Sequence, residues 1–387
     1  MPVSPEAHLN AVQELVTAHA PNPRTQRVLA ADALGRVLAR DLVANGDMPP
    51  FDNSQMDGYA LPRAGAAVWE VGPTVAAGAD PDAIYPDGLG AKAAPVMTGA
   101  KLPRGTAAVV PVEACEPAEF VGTGDTVTVP DCAPGQFMRR AGSDVAAGDV
   151  IAPAGTLVTP VVAGVLASQC VEEVEVRARR RIIIVTGGKE VGGAGAAQIP
   201  DTNTPMLEAL AARHGIEVAA TIRTDDDPEA LAGEVERGVD KHAPDAIVTS
   251  GGISHGKFEV VRQVFADGWY GHVAQQPGGP QGRSVFRGVP VVSLPGNPVS
   301  TLVSFRLFVA PVLGQADEPV WAPVSEAITG LEGREQFLRG RITHGRATPM
   351  GGAGSHLLNQ AAEATCLIRV PAGTELAEGD LALIYPL

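Results

Sequence analysis

The sequence predicts a multidomain α/β plus β fold, in which a central α/β domain lies between regions of short strands. Three observations support this prediction. The chain has 387 residues, which is more than one typical domain contains. Apolar strand-like runs alternate with amphipathic helices between residues 182 and 313, as in a parallel sheet covered by helices. On both sides of this part, short apolar runs are separated by glycine and proline, which predicts small β domains.

Composition and charge exclude several classes of protein. Hydrophobic residues make up 45% of the chain, enough for full cores, and the net charge of −15 argues against a protein that wraps nucleic acid. The four cysteines lie far apart without a CxxC pair, so we expect neither a zinc site nor a disulfide framework. The chain does not open with a Lys/Arg-led apolar segment, and no apolar run is long enough to span a bilayer. We therefore expect a cytoplasmic protein without membrane or nucleic-acid partners.

The first sixty residues predict two helices and then a polar loop. Residues 4–20 form an amphipathic pattern with Ser4 as the helix cap, and residues 30–39 predict a second helix. The loop that follows carries two carboxylates, one of them Asp57. A solvated loop whose carboxylates cap local N–H groups and a loop that presents Asp57 to a site elsewhere both fit. Spacing alone favours the solvated loop.

The middle of the chain predicts a small all-β domain. Residues 68–138 carry short β-like runs that glycine and proline separate about every ten residues. Thr98 and Gly99 predict a turn within this region. Residues 159–170 are apolar enough to predict another helix.

From residue 182 the pattern changes to alternating strands and helices. We expect helices capped by Thr204 and by Asp227, each followed by proline at the first helical position. After about residue 313 the chain becomes β-like again, which predicts a C-terminal β domain. The predicted strands of the α/β part are residues 182–185, 216–222, 246–249 and 289–294.

Two of these strands lead directly into glycine turns. One reads Ser250-Gly251-Gly252, and the other reads Pro295-Gly296-Asn297-Pro298. Asn297 followed by Pro298 predicts the start of a helix that runs to about residue 313. Ligands of open α/β sheets bind at the carboxyl ends of the strands, and a glycine turn that leads into a helix suits an anion. One such turn would be an ordinary tight turn, but two in one sheet, with hydroxyl and amide side chains beside them, favour a ligand site.

Several motifs in the chain resemble one known family. In order they read FDNSQMDGYA, PVMTGA, RRAGSD, TG at Thr186, DTN at Asp201, DDDPEAL, TSGGIS and LPGNPVS. They resemble the molybdopterin molybdenumtransferases, the MoeA family, which includes the E domain of gephyrin. The resemblance covers nearly the whole chain, and LPGNPVS together with FDNSxMDGYA is specific.

The resemblance implies a division into four domains. It places a helical linking domain at residues 1–46 with 142–176 and a β-rich domain at 47–141. It places a three-layer α/β domain, similar to MogA and MoaB, at 177–316, where molybdopterin binds. A β-barrel-like domain then follows at 317–387.

The resemblance also implies an activity and a set of site residues. The family inserts molybdate into adenylyl-molybdopterin and releases AMP, with carboxylates that hold Mg²⁺. It is homodimeric, with a cleft between the α/β domain of one subunit and parts of the other, and it works with other proteins of the cofactor pathway. The matching positions imply Asp57, Asp144, Asp226 and Glu259 as catalytic residues, and Asp226 and Glu259 as metal ligands. Glu190, one position beyond the family Glu, is the third expected metal ligand. The matching positions imply substrate binding by Thr98, Thr186, Gly187, Ser250, Gly251, Gly252, Ser254, Pro295, Gly296, Asn297, Pro298, Ser300 and Arg339, and Arg283 is a further candidate.

Some positions depart from the family pattern. Gly188 and Lys189 stand where the family has Asp and Glu, and Gln276 and Gly279 replace both lysines of the KPGKP motif. Arg283 offers one positive charge at a new place. A second interpretation is therefore a catalytically impaired paralogue that binds molybdopterin or acts as a scaffold. A third interpretation is that the protein adenylylates molybdopterin. The FDNSQMDGYA motif and the additional domains disfavour it.

Overall fold

The computed structural model of the chain describes residues 2–21, 24–188, 191–192, 196–224, 227–253 and 259–387. It separates into two compact units. Unit A comprises Met1–Arg24 with Ala178–Leu387, and unit B comprises Thr25–Arg177. The first helix, α1 (Pro5–His19), belongs to unit A and begins as predicted, because the Ser4 hydroxyl accepts a hydrogen bond from the Ala7 N–H at 3.1 Å.

Unit B consists mainly of short strands, as predicted for its middle part. Its largest sheet has three antiparallel strands in the order β6-β4-β7. The predicted helix at residues 159–170 is confirmed as α3, which Thr159 caps. The strands are β1 (Thr25–Leu29), β2 (Leu42–Val43), β3 (Asn53–Ser54), β4 (Gly58–Leu61), β5 (Ala67–Glu70), β6 (Ala94–Val96), β7 (Ala108–Pro111), β8 (Thr126–Val129), β9 (Met138–Arg139), β10 (Val150–Ala152) and β11 (Glu173–Arg177), and the helices are α2 (Pro81–Ile84) and α3 (Pro160–Ser168).

The predicted second helix at residues 30–39 is wrong. Only Ala30–Asp32 form a helical turn, of the 3-10 type. Gly35 then adopts a φ of 72°, and its N–H donates to the carbonyl of Val158. Leu38 pairs in an extended conformation with Val176. Tertiary pairing of the backbone therefore overrides the helical pattern of this segment.

Unit A contains the six-stranded sheet β13-β12-β14-β18-β17-β15. Its first four strands are parallel, which confirms the predicted parallel sheet, and β17 and β15 add an antiparallel edge that the sequence did not indicate. The helices of this part are α4 (Asn203–Arg213), α5 (Pro228–His242), α6 (Val260–Val264), α7 (Pro298–Ser304) and α8 (Ala310–Leu313), and the strands are β12 (Arg181–Gly187), β13 (Glu217–Thr224), β14 (Ala246–Ser250), β15 (Gly268–His272), β16 (Gln275–Gln276), β17 (Pro280–Phe286) and β18 (Val289–Leu294).

Helices cover both faces of this sheet. Alternate residues of β12 point to opposite sides. Ile182 and Ile184 pack in a core with α1, α4 and α7, whereas Ile183 and Val185 pack in a second core with α5 and α6. The predicted three-layer arrangement is therefore confirmed.

The capping residues were predicted with mixed success. Asp227 caps α5 as predicted and accepts from the N–H groups of Glu229 and Ala230 at 3.0 and 3.2 Å. Thr204 as the cap of α4 is wrong, because the helix begins at Asn203. Asp201 accepts instead from the N–H of Thr204 at 3.1 Å.

The predicted helix from Pro298 to about residue 313 is confirmed, with one irregularity. A π-helical turn, Phe305–Val309, joins α7 to α8. Phe305 and Val309 lie in the core beside α4, and Leu302 packs against it. None of the helices in the described residues is both long and apolar enough to cross a bilayer.

The C-terminal strands of unit A form the predicted barrel-like sheet. Strands β22, β21, β23, β25 and β19 pair in that order. A bridge between Val324, just after β19, and Ala347 of β22 brings the two ends of the sheet together. The division into four domains stays a prediction. The strands are β19 (Val320–Pro323), β20 (Ile328–Thr329), β21 (Glu335–Thr343), β22 (Arg346–Pro349), β23 (Cys366–Val370), β24 (Glu375–Leu376) and β25 (Leu381–Pro386).

Candidate functional site

A cavity of about 690 Å³ lies in unit A at the carboxyl ends of β12, β14 and β18. This is the sheet edge at which the sequence predicted a ligand site. Gln276 and Gly279, which replace the family lysines, lie in its wall. The predicted site residues that line it are Thr186, Gly187, Ser250, Gly251, Gly252, Glu259, Pro295, Gly296, Asn297, Pro298 and Ser300.

The turns at this edge approach each other so closely that they require glycine. A Cβ atom at Gly296 would lie 3.2 Å from the Cα of Gly251, and one at Gly187 would lie 2.5 Å from the Thr224 carbonyl oxygen. Gly251 and Gly252 also have φ angles of 93° and 67°, which side chains disfavour. Within the described part of the chain, the N–H groups of Gly252 and Gly296 donate to no protein acceptor. The cavity therefore offers backbone donors of the kind that bind phosphate or oxyanion oxygens.

Side-chain hydrogen bonds connect these turns to α4. The Asn203 amide donates to the Ser250 hydroxyl at 3.0 Å and to the Gly296 carbonyl at 2.7 Å. Ser250 is 3.0 Å from the Thr301 hydroxyl, which donates to the Pro295 carbonyl at 2.7 Å. The sequence had indicated DTN only as a family motif, and the Asn side chain proves to be part of the cavity wall.

The helix that begins at Pro298 makes different contacts from those expected. Asn297 is at the N-cap position, but its side chain does not cap the helix. Its amide donates instead to the Ser355 hydroxyl at 3.0 Å, and the N–H of Val299 donates to the Ser355 carbonyl at 3.1 Å. Ser355, which lines the cavity, therefore occupies part of the helix start that was expected to be open to an anion.

Charged side chains are few in the cavity wall. Arg334 is the only lysine or arginine among the described lining residues, and the sequence did not distinguish it from other exposed arginines. Its guanidinium makes no hydrogen bond or ion pair with the described residues. The carboxylates are Glu259 and Asp201. Asp201 is engaged by the Thr204 hydroxyl at 2.7 Å and lies 3.7 Å from Arg223.

Two predicted substrate-binding arginines lie outside the cavity wall. The Arg283 guanidinium stacks over the Trp269 ring at 4.4 Å, and burial lowers its pKa. Arg339 is buried and donates to the carbonyls of Leu357, at 2.7 Å, and Gly352. Both guanidinium groups therefore already have partners within the fold.

Unit B contains the predicted residues Asp57, Thr98 and Asp144. The Asp57 carboxylate accepts from the hydroxyl and the N–H of Thr98 at 2.7 and 2.6 Å, so the structure brings these two predicted residues together. The Thr98 hydroxyl, and then its N–H, lower the pKa of Asp57 and favour the ionised form. Asp144 is exposed in the segment between β9 and β10.

The predicted metal ligands are mostly outside the described residues. Asp226 and Glu190 lie there, as do Lys189 and the predicted substrate-binding residue Ser254. Across the described ranges, no group of three or more His, Cys, Asp or Glu side chains is arranged to hold a metal ion. Glu259 remains in the cavity wall, next to α6.

Fold and cavity together define a multidomain α/β protein with a glycine-rich cavity at the carboxyl ends of its parallel strands. Family profiles match in the same order along the chain. The MoeA N-terminal region (domain I and II) matches residues 3–170, a probable molybdopterin binding domain matches 182–315, and the MoeA C-terminal region (domain IV) matches 322–387. The chain belongs to the MoeA family, as its motifs predicted.

Curated relatives and solved structures agree with this assignment. Molybdopterin molybdenumtransferase 2 of Mycobacterium tuberculosis is 37% identical over 98% of this chain and 99% of its own length. Molybdopterin molybdenumtransferase 1 of the same organism is 33% identical over 94% of both chains. A crystal structure of the molybdopterin biosynthesis MoeA protein from Pyrococcus horikoshii has a TM-score of 0.78 and 26% identity, and it covers 100% of this chain and 99% of its own.

Proposed function

We propose that this chain is a molybdopterin molybdenumtransferase of molybdenum cofactor biosynthesis, which inserts molybdate into adenylyl-molybdopterin and releases AMP. The observation that carries this proposal is the cavity at the carboxyl ends of β12, β14 and β18, in a chain that matches curated molybdenumtransferases over nearly its full length. The substrates are anions that carry phosphate and metal-oxo oxygens. Glycine turns whose N–H groups have no acceptor among the described residues suit such oxygens.

Arg334 supplies the positive charge that the substitutions at 276 and 279 remove. All three positions line the same cavity, although Arg334 lies more than fifty residues further along the chain. A guanidinium binds oxyanions through charge-assisted hydrogen bonds. The impaired-paralogue interpretation rested on Gly188 and Lys189 as well as on the missing lysines. Arg334 answers only the argument from the lysines, which concerns the oxyanion part of the site.

Mg²⁺ is the cation that we propose for this site. Glu259 lines the cavity, and carboxylate oxygens are the ligands that this hard cation prefers. Asp226 and Glu190 would complete the ligand set. Asp201 is a poor candidate because Thr204 already engages its carboxylate. When bound, Mg²⁺ would neutralise phosphate charge.

We further propose that the protein is a cytoplasmic homodimer that contacts other proteins of the cofactor pathway. Unit B exposes several large apolar side chains, which an association with a second copy would cover. They are Leu29, Leu34, Val43, Val150, Leu157 and Val161. Sedimentation at several concentrations tests this, and a monomer at all of them would contradict it.

The activity is tested by release of AMP from adenylyl-molybdopterin in the presence of molybdate, with and without Mg²⁺. Folded wild-type protein is expected to release AMP, faster with Mg²⁺. We expect Arg334→Ala to raise the KM for molybdate or substrate by about 10- to 100-fold, since hydrogen bonds to charged groups contribute about 1.5–3 kcal/mol. Arg346→Ala is the matched control, because that exposed arginine pairs with Glu378 outside the cavity wall. No AMP release by folded protein would refute the proposal.

A further inference from the structure

The side-chain amide of Asn203 joins the start of α4 to two other segments of the cavity wall. It is the first residue of α4, and its two N–H bonds reach the end of β14 at Ser250 and the turn after β18 at Gly296. The next residue, Thr204, is 2.6 Å from the Thr186 hydroxyl at the end of β12. The N-terminus of α4 therefore touches the carboxyl ends of all three strands that form the cavity edge.

The chemistry of the groups fixes the direction of these hydrogen bonds. The NH₂ group of Asn203 only donates, and the carbonyls of Pro295 and Gly296 only accept. Ser250 therefore accepts a hydrogen bond from Asn203. Its own hydroxyl donates to the Thr301 hydroxyl at 3.0 Å or to the Pro295 carbonyl at 3.2 Å. Ser250 and Thr301 are buried, so water cannot replace a missing donor without entering the wall.

The orientation of the Asn203 amide is fixed as well. A flipped amide would place Oδ1 against the Gly296 carbonyl, where two acceptors repel. In the observed orientation Oδ1 is buried and has no hydrogen-bond partner in the described part of the chain. An unpaired buried acceptor is unfavourable. The unpaired Oδ1 indicates that the NH₂ group, which donates both hydrogen bonds, is the part of the Asn203 side chain that matters.

We infer that Asn203 is a positioning residue, whose amide holds the Gly296 carbonyl and the Ser250 hydroxyl and so fixes the two glycine turns that face the anion. Glycine at 296 leaves its peptide free to rotate. Because the peptide is planar and trans, a fixed Gly296 carbonyl also fixes the direction of the Asn297 N–H on its opposite side. This inference rests on the proposed function, since the anion is that of the molybdenumtransferase substrates.

A purely structural role at the start of α4 is the competing explanation. That start is already held without Asn203, because Asp201 accepts from both the N–H and the hydroxyl of Thr204. Loss of the Asn203 amide should therefore change substrate turnover more than thermal stability.

The test compares Asn203→Ala and Asn203→Asp in the full-length protein with Glu208→Ala as a control. Glu208 lies on the same helix, is exposed, and is outside the cavity wall. We expect Asn203→Ala to lower kcat/KM for AMP release by about 10- to 100-fold, the range for a small misplacement of reacting groups. The midpoint of thermal unfolding should fall by at most a few degrees relative to that of the control, because Ser250 keeps its hydrogen bond to Thr301 or Pro295.

Asn203→Asp separates donation from size. An ionised carboxylate has nearly the same shape but repels the Gly296 carbonyl, and it can only accept a hydrogen bond from the Ser250 hydroxyl. This variant should therefore be less active than Asn203→Ala at pH 8. Relative to wild type it should recover as the pH falls, because a protonated carboxyl group can donate one hydrogen bond. An Asp variant that is as active as wild type at pH 8, or an Ala variant that loses activity only in proportion to unfolding, would overturn the inference.

Binding of AMP distinguishes failure of this inference from failure of the proposed function. If wild type releases no AMP but binds AMP in calorimetry, the proposed function fails. The inference is then judged by comparing the dissociation constants for AMP of Asn203→Ala and wild type. A weakening of about 10-fold or more in Asn203→Ala supports the inference, and an unchanged constant overturns it. Absence of both release and binding in wild type overturns both proposals.

Discussion

His8 gives the protein a stability that depends on pH. Its side chain is fully buried in unit A, 4.7 Å from the Phe308 ring and 5.2 Å from the Trp269 ring between their centroids. Neither ring nitrogen has a hydrogen-bond partner in the described part of the chain. Burial, and secondarily the positive charge of Arg283, lower the pKa of His8 from 6.5 to about 3.

The direction and size of the effect follow from this pKa. As the pH falls below 6.5 the unfolded chain binds a proton at His8, whereas the folded chain stays neutral down to about pH 3. The contribution of neutral His8 to the free energy of unfolding is therefore fully present above pH 6.5, and it is lost as the pH falls from 6.5 to 3. At about 1.36 kcal/mol per unit of pKa difference, the loss from His8 is about 2 kcal/mol at pH 5.

Replacement of His8 by leucine tests this reasoning. Urea unfolding at pH 7 and pH 5 should show that the pH-dependent loss of stability is about 2 kcal/mol smaller in His8→Leu than in wild type. At pH 7 the variant should be no less stable, because no protein hydrogen bond of the ring is lost within the described structure. His19→Gln, in the exposed last turn of α1, is the matched control and should retain the wild-type pH dependence. An equal pH dependence in His8→Leu and wild type would refute the argument.

Two further substitutions test the cavity edge and the base of the sheet. Gly296→Ala places a Cβ 3.2 Å from the Cα of Gly251, so the two turns must separate. The affinity for AMP, measured by calorimetry, should fall while the fold is retained. An unchanged affinity would contradict the close approach of the turns. Asp245 is buried and accepts from Arg24, Arg180 and the N–H of Arg181 at 3.2, 3.2 and 2.7 Å. Asp245→Ala should lower the free energy of unfolding by about 1–3 kcal/mol in urea, because a buried N–H loses its acceptor; Asp240→Ala, an exposed partner of Arg287, is the control and should change it little.

Local signals in the sequence predicted the parallel strands of the sheet and the edge at which the cavity lies. The run at 289–294 was found with its observed bounds, and the glycine turn at 296 was placed at the cavity. Such features depend on short stretches of chain, where hydrophobic period, glycine and proline act directly. The Asp227 cap succeeded for the same reason.

The Thr204 cap failed locally, because Asp201 engages that residue. The other failures have a common physical cause, which is contact between segments that are distant in the chain. The segment around Gly35 looks helical, but its backbone pairs with residues more than a hundred positions away. The start of the helix at Pro298 looked open, but Ser355 occupies it. Arg334 was missed because no local pattern distinguishes an arginine that faces a cavity from one that faces solvent.

Position 279 allows the role of Arg334 to be tested by relocating the charge. A Cβ at Gly279 would approach no atom closer than 3.5 Å, so the backbone there accepts a side chain without displacement at its first carbon. If the cavity needs a cation rather than Arg334 itself, Gly279→Lys in the Arg334→Ala background should recover about 10-fold of the lost affinity, since a charged hydrogen bond contributes about 1.5–3 kcal/mol. Gly46→Lys, where an added Cβ meets nothing within 4 Å, adds the same charge in unit B and should recover nothing. Equal recovery by both lysines would mean that net charge, and not charge in the cavity wall, controls the affinity. Recovery by Gly279→Lys alone would show that a cation contributed by either of two distant segments can serve the same anion.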